Sequence, residues 1–528
     1  MGNLHQLILP LVLFAVGELN GTLVDGLEDD WPIDASTLTD ATSDTLLAGP
    51  DFVRVSATND AYNLYLLVEF SAPVNLRTAD LTLLIDADDN PATGFPDSGR
   101  GMDFIWDFDR NRGTSTLTSR GDIGRGNLVE RIAPDASATI HEIAISLEAL
   151  PAAQTRDPVH IILKEENSRD RVPDSGSAFS YTLEGPLSVQ PMPIDPFKDP
   201  RAIRIVSWNV LRDAPFKSDN QAAFLRILEA LNPDIVLFQE FYDVSTALLL
   251  RYFQDNLQTA SDQQWEIARM HDCITLSRFP IENSWPSNGN IVSRHLTGEA
   301  IGADLLIANN HFPCCENESG RVNEAANLIQ LLGTRLQDTT SFPQSLIIGG
   351  DLNSGGRAPE LIDLTTSLVP LEMASPRHLY EYDQYTWGSL GSFWGSSRLD
   401  FILFDPATLF RDKAFILDTD VLPSSALEQL NLEAGDTFIS DHLVLVMDVR
   451  SPQLPEPLQA APMEADGSTV SNWWGTLNGL EYPWIHHEDL GWMYLYESGQ
   501  GYWSRHTSGI WFWTGSSTWP WIYAARGL

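Results

Sequence analysis

The chain has 528 residues, 43% of them hydrophobic, which is more than one domain needs and enough for several buried cores. Its 32 Lys and Arg against 72 Asp and Glu give a formal charge of -40, and no run of basic residues interrupts the acidity. That balance argues against a tight, non-specific grip on nucleic acid, which needs a basic patch or stripe, and three cysteines without Cys-x-x-Cys or Cys/His spacing exclude a zinc ribbon.

In chain order, the first element is an apolar run from Leu7 to Val16 followed by the small-residue triplet Ala15-Val16-Gly17. It predicts a signal peptide over residues 1–17, although no Lys or Arg precedes the run. No later segment approaches the roughly 20 apolar residues of a membrane helix. The expected location is therefore secreted or cell-surface, of bacterial type, without a transmembrane segment.

Residues 20–185 read as short alternating or apolar strands such as "LTLLIDADD", "ATIHEIAISL" and "PVHIILKEE", separated by Asp, Asn, Gly and Pro turns. This spacing predicts a β-sandwich. Asp86, Asp88 and Asn90 alternate as oxygen ligands of calcium do, while Pro91 excludes the helix-loop-helix calcium loop, which needs glycine there. "DGLEDDWP" from Asp25 to Pro32, "YNLYLLVEF" and "IDADDNPATGF" together resemble carbohydrate-binding β-sandwich modules of secreted bacterial enzymes. The resemblance implies glycan or cell-surface contact.

A proline-rich linker is predicted over 186–200 and another over 451–467. Between them, residues 201–450 alternate strands with helices. "IRIVSWNV" ends in an amide, "DIVLFQE" in an acid, and "LLIANNHF", "SLIIGGDLN", "SRLDFILF" and "FISDHLVLVMDV" end in or enclose His311, Asp351 with Asn353, Asp400, and Asp441 with His442. One such strand end is explained by a turn, because Asp, Asn and Gly favour turns. Six in order point to a sheet rim that collects metal-binding and proton-moving groups.

Residues 468–528 carry a repeat of Trp, a short gap, then Gly: Trp484 with Gly491, Trp503 with Gly509, Trp521 with Gly527. Short aromatic strands of this kind stack to bury their rings. The segment resembles small Trp-rich C-terminal domains on surface proteins of marine bacteria, for which a display or attachment role is supposed; stacked core aromatics and a sugar-binding platform are both open readings. Of the three cysteines, Cys273 could pair with Cys314 or Cys315 in an exported protein, or all three could be reduced and buried.

The central motifs together carry a further resemblance. Ser207-Trp208-Asn209, Gln239-Glu240, Ser277-Arg278-Phe279-Pro280, Asn310-His311, Gly350-Asp351-Leu352-Asn353, Arg398-Leu399-Asp400 and Ser440-Asp441-His442 resemble, in order, the endonuclease/exonuclease/phosphatase superfamily. The resemblance implies a four-layered α/β sandwich in a multidomain chain. It implies that Glu240, assisted by Asn209 and Asp441, binds the essential ion, Mg2+ or Mn2+. It also implies that Asp400 orients His442, that Asp351 or His442 activates the water, that Asn353 holds a phosphate oxygen and that His311 donates to the phosphoryl group. Leu211 departs from the repair nucleases, which carry an acid there, and His311 stands where many of them have Tyr. Both departures favour an exported phosphodiesterase over abasic-site repair.

The expected function is thus an exported metal-dependent phosphohydrolase, most readily a nuclease acting on extracellular nucleic acid. A phosphatase or sphingomyelinase-like phospholipid phosphodiesterase is the alternative within the enzyme class. A catalytically inactive surface glycan-binding protein is the alternative of another class.

Overall fold

The computed structural model describes most of residues 22–525. Left outside are residues 1–21, with the expected signal peptide, the longer stretches 116–121, 125–130, 134–136, 151–157, 184–192, 258–263, 389–396, 452–467, 479–483, 507–510 and 520–522, and a few shorter breaks. Nearly all of the second proline-rich linker, the first half of the first, and Trp521 and Gly527 of the third Trp repeat therefore lie outside the described residues. Residues up to Arg450 form one compact unit and those from Ser451 a second.

In the first unit, the N-terminal residues build two antiparallel sheets. One runs in the order Ser36–Thr39, Phe52–Asn59, Asn63–Val74, Ala138–Ser146, Arg131–Ala133; the other is centred on Pro158–Glu165, Leu81–Asp86 and Phe104–Asp107. Their facing side chains close a single core, with Val55, Leu66 and Val68 of one sheet clustered with Leu83, Ile85, Trp106 and Ile161 of the other. Alternation of side chains along each strand supplies the two apolar inner faces.

The central residues form two further sheets. The first contains β1 (Ile203–Asn209), β2 (Ile235–Gln239), β3 (Glu266–Met270), β4 (Cys273–Ser277), β10 (Phe410–Leu417) and β11 (Val444–Arg450), in the order β3-β4-β2-β1-β11-β10 with Arg377–His378 at the edge. The second runs β5 (Ile281–Ser287), β6 (Asn290–His295), β7 (Asp304–His311), β8 (Gln344–Asp351) and β9 (Asp400–Phe404), with Glu372–Met373 at its edge. The pairs β1–β2 and β7–β8 are parallel and their crossovers carry helices, as parallel neighbours require. Helix α1 (Gln221–Leu231) lies between β1 and β2, α2 (Thr246–Asn256) between β2 and β3, α3 (Glu318–Arg335) between β7 and β8, and α4 (Pro359–Thr366) between β8 and β9.

Three clusters stack these parts. Trp208, Val236 and Phe238 of the first sheet meet Phe224, Ile227 and Leu228 of α1 and Phe253 of α2. Ile205 and Leu237 of the same sheet meet Ile307, Ile347 and Ile402 of the second. On the far side, Leu306, Ala308 and Ile348 meet Leu328 and Leu332 of α3 and Leu361 of α4. The order is helices, sheet, sheet, helices, and the central strands are apolar on both faces because both are covered.

The second unit is a seven-stranded antiparallel meander from Ser468–Ser471 to Tyr523–Ala525. Trp474, Leu477, Ile485, Met493 and Phe512 fill its core, and Trp473 stacks on Trp474 with ring centres 5.2 Å apart. None of the three cysteines is bonded, which corrects both expectations for them. Cys273 is buried against Ala268 and Ile291 at the start of β4, whereas Cys314 and Cys315 are exposed in the turn after β7.

One buried ion pair crosses the first central sheet. Arg204 on β1 donates from Nε and Nη2 to both oxygens of Asp448 on β11, at 2.7 and 2.8 Å, and from Nη1 to the Leu231 carbonyl. Both partners are within 1% of full burial, so removing one strands the other charge. Arg204→Met is expected to lower unfolding stability by about 3–5 kcal/mol in urea titration. Arg204→Met combined with Asp448→Leu should recover most of that loss.

Candidate active site

The second central sheet sets the site by register. His311 on β7 lies opposite Asp351 on β8, and Asp351 lies opposite Asp400 on β9, so three functional residues from distant parts of the chain stand in one row. In the first sheet Asn209 lies opposite Gln239, which places Glu240 one residue beyond the strand end. Beneath the site the sheets are tied by buried amides. Asn309 donates to the carbonyls of Phe238 and Ile274, and Gln239 Nε2 donates to Asn309 Oδ1 at 2.8 Å.

The paired glycines before Asp351 are explained by this closeness. A Cβ on Gly349 would come within 2.8 Å of Leu237 in the facing sheet. Gly350 has φ +130°, and a Cβ there would fall 2.0 Å from the Asn310 carbonyl oxygen. Beyond the strands the chain turns sharply: Glu240, Asn353 and the run Leu211, Arg212 and Asp213 all have positive φ. Left-handed backbone is costly for non-glycine residues and clusters where a structure over-determines it for function. Asp213 holds one such turn by accepting from the amides of Tyr242, Asp243 and Val244.

A cavity of about 450 Å³ opens at this rim, walled by Glu240, His311, Asp351, Asn353, Asp441 and His442 together with Arg212, Tyr242, Phe312, Trp387 and Leu399. Its centre is Asp351 Oδ2. Asn209 Nδ2 donates to it at 3.0 Å, and the Nε2 atoms of His311 and His442 lie 3.7 and 3.6 Å away. Each histidine is held from behind by a carboxylate, His442 through Nδ1 to Asp400 Oδ2 at 2.8 Å and His311 through Nδ1 to Asp272 Oδ2 at 2.6 Å. Both rings therefore donate from Nδ1 and turn Nε2 to Asp351.

The charges follow from these contacts. Burial disfavours the charged ring of His442, but Asp400 and Asp351 outweigh it and push its pKa up to about 10. The same opposition at His311, between burial and the hydrogen bond to Asp272 assisted by Asp351, ends at about 9. The Asp351 carboxyl stays above the usual carboxylate range, because burial, reinforced by the nearby Asp400 charge, outweighs the two rings and the Asn209 hydrogen bond that pull it down.

The structure thus brings every residue singled out at the strand ends to one rim, with differences of detail. Asn209 does not offer its oxygen to the cavity. Nδ2 bridges Glu240 Oε1 and Asp351 Oδ2, while Oδ1 accepts from the Leu211 amide. Asn353 donates to the Phe312 carbonyl. Asp441 Oδ2 accepts from Trp387 Nε1 at 3.1 Å. Asp272, Trp387 and Arg212 escaped the sequence reading; only Asp272 left a signal there, an acid directly before the strand "CITLS". Thr386 escaped too, and its Oγ1 accepts from the amides of Leu399 and Asp400.

Among the described residues, Asp351, Asp400 and His442 form one group whose ligating atoms lie within 4.8 Å of one another. In the N-terminal sheets Asp86, Asp88 and Asp103 form another. The carboxamide oxygen of Asn90 accepts from the Ala92 amide and its carbonyl from the Thr93 hydroxyl, which closes the turn beside them.

Residues 206–442 match the model of the Endonuclease/Exonuclease/phosphatase family. A search of curated proteins found no match. Among solved structures, the human Nocturnin catalytic domain is 19% identical, with 48% of this chain and 96% of that one covered and a TM-score of 0.34. ANGEL2, a 2',3'-cyclic phosphatase, is 14% identical with the same coverages and a TM-score of 0.37. The Bacteroides thetaiotaomicron mannosyl-6-phosphatase is 16% identical, with 47% and 99% covered and a TM-score of 0.34.

The carboxylate behind His311 gives a direct check. In metal-free protein, NMR titration should find the His311 ring protonated up to a pH of about 9, as its raised pKa requires. Asp272→Asn removes the partner that favours the charged ring, so its pKa should fall by about one pH unit or more.

Proposed function

We propose, from a central domain that belongs to the Endonuclease/Exonuclease/phosphatase family, that this chain hydrolyses phosphoesters by attack of water with the help of a divalent cation. The observation that carries the reading is the convergence on Asp351 of two histidine Nε2 atoms, each ring backed by a carboxylate. Both rings are charged at neutral pH, so the pair can donate to the phosphoryl and leaving oxygens while Asp351 between them accepts the proton of the attacking water.

Glu240 and Asp441 on the cavity wall supply carboxylate oxygens, which suit Mg2+ or Mn2+ and suit zinc poorly, and Asn209 steadies Glu240 through Nδ2. A bound cation there supplies charge neutralisation for the phosphate oxygens and a more acidic water. The chain's own residues do the rest. Asp400 keeps the His442 ring charged and oriented with Nε2 facing the cavity, and Asp351 orients water between the two rings. His311, kept charged by Asp272, binds a phosphate oxygen. In the N-terminal sheets, Asp86, Asp88 and Asp103 suit calcium; Asp86 is fully buried, and its Oδ1 has no hydrogen-bond partner.

Of the substrates this chemistry serves, the cavity favours a compact phosphoester. Its wall is aromatic and apolar at Tyr242, Phe312, Trp387 and Leu399, and Arg212 is the one Lys or Arg among its lining residues. Nucleic acid, the substrate expected from the sequence, would enter as a single strand or strand end, since a duplex groove calls for a basic track. The apolar segment Leu7–Val16 supports work outside the cell.

Hydrolysis of small phosphate esters, sphingomyelin, RNA and single-stranded DNA with Mg2+ tests the reading. Glu240→Gln should abolish turnover with the fold intact, and EDTA should do the same to the wild type; undiminished activity in excess EDTA would sink the proposal. His442→Ala should cost roughly 10² to 10⁴ in kcat. Asp400→Asn should cost much of the same. Because the two act as one unit, the double variant should be little worse than His442→Ala.

A further inference from the structure

A contact outside the cavity joins the N-terminal sheets to the strand that carries Asp400. Arg398, two residues before Asp400, is only 3% exposed. Its Nη2 donates to the Ala374 carbonyl, its Nη1 to Gln384 Oε1 at 3.2 Å, and its guanidinium lies over the Phe401 ring. None of these partners is an anion. Among the described residues the carboxylate in ion-pair range is Asp25 of the N-terminal part, with Oδ2 3.8 Å from Nη1.

Asp25 is itself fixed from the other side. Its amide and that of Gly26 both donate to Glu142 Oε2, and Trp31 Nε1 donates to Glu142 Oε1. Glu142 lies in the inner strand Ala138–Ser146 and is fully buried, so residues 25–31 form a strap pinned to the N-terminal sheets. The two oxygens of Asp25 then divide their work: Oδ1 accepts from the Leu27 amide and shapes the strap, and Oδ2 faces Arg398. A second ion pair, Glu28 with Arg357, joins the same two parts on the exposed surface.

What Arg398 holds is part of the cavity. Ser397 and Leu399 line it, Leu399 accepts from the Leu352 amide beside Asp351, and Asp400 backs His442. A buried guanidinium without a carboxylate is strongly disfavoured and would shift to find one. A shift of Arg398 carries its neighbours along the backbone.

We propose that Asp25 is a positioning residue of the active site: through Arg398 it fixes residues 397–400, and the N-terminal sheets thereby form a working part of the hydrolase. This rests on the reading of the cavity as a phosphoester-hydrolysing centre. It sets the N-terminal part apart from an appended module, because the site is complete only with the strap in place. The phosphate-facing groups His311 and Asn353 are carried by β7 and the end of β8, so the loss is expected in turnover and not in substrate binding.

The test uses the full chain and two readouts. In Asp25→Asn, kcat should fall about 10- to 100-fold with KM nearly unchanged, the size expected when reacting groups are misplaced from a distance. Deuterium uptake in the peptide spanning 397–404 should accelerate, because the amides of Leu399 and Asp400 are held by Thr386. Arg357→Gln, which breaks the exposed pair at the same junction and leaves Glu28 its contact with Arg54 inside the N-terminal part, should leave both readouts at wild-type level. Glu142→Gln releases the strap while keeping both ion-pair partners; it should repeat the Asp25→Asn result and replaces it if that variant does not fold. Wild-type kcat and wild-type exchange in either variant overturns the proposal, as does an equal effect of Arg357→Gln. If the wild type hydrolyses none of the phosphoesters, the proposed function falls, and the exchange measurement still decides on Asp25.

Discussion

Everything at the site depends on keeping one carboxylate, that of Asp351, buried and surrounded by donors. Asn209 reaches it from the first central sheet, His311 from the neighbouring strand of the second, and His442 from the turn before β11. A buried carboxylate is tolerated only when its charge is answered by hydrogen bonds or opposite charge. Here the answer comes from two rings whose own charge is sustained by two further carboxylates, Asp272 and Asp400. The arrangement is a closed set of mutual supports, and removing any member leaves another group buried and unmatched.

The sheets are built to permit this closeness. Gly349 and Gly350 let β8 approach Leu237 of the facing sheet and the Asn310 carbonyl of β7 at distances no side chain allows. Asn309 and Gln239 tie the two layers just below the rim. The rim itself is made of turns with positive φ at Glu240, Arg212 and Asn353, where conformational preference has been given up for direction. Rigid, doubly covered strands beneath and constrained turns above are what a site needs to hold several charged groups within hydrogen-bond reach.

The acidic composition bears on substrate choice through the same geometry. A net charge of -40 disfavours a polyanion, so the proposed hydrolase would recognise its substrate locally, at the phosphate. The two charged imidazoles and Arg212 line the cavity, while aromatic and apolar side chains form much of its wall. On the proposed function, such a site would discriminate by what fits beside the phosphate and not by grip on a polymer.

Much of the central domain was legible in the sequence, because its strands are apolar on both faces and end in residues that a buried strand would not otherwise carry. The order of Asn209, Glu240, His311, Asp351, Asp400 and His442 along the chain sufficed to place them at one sheet edge, since strand ends at one rim are a property of alternating β and α elements. The turn chemistry of "DADDN" was legible only in part: the alternation brings Asp86 and Asp88 together, but Asp103, which joins them, lies further along the chain where no local pattern marks it. That Asp272 stands behind His311, Trp387 against Asp441 and Asp25 against Arg398 was not legible, although Asp272 itself stands directly before a strand. Their partners lie 39, 54 and several hundred residues away in the chain, and no local pattern records which long-range neighbour packing will supply. The sequence by itself determined which side chains would stand at strand ends; only the tertiary structure decided their hydrogen-bond partners, because those depend on strand register and on how the N-terminal sheets dock.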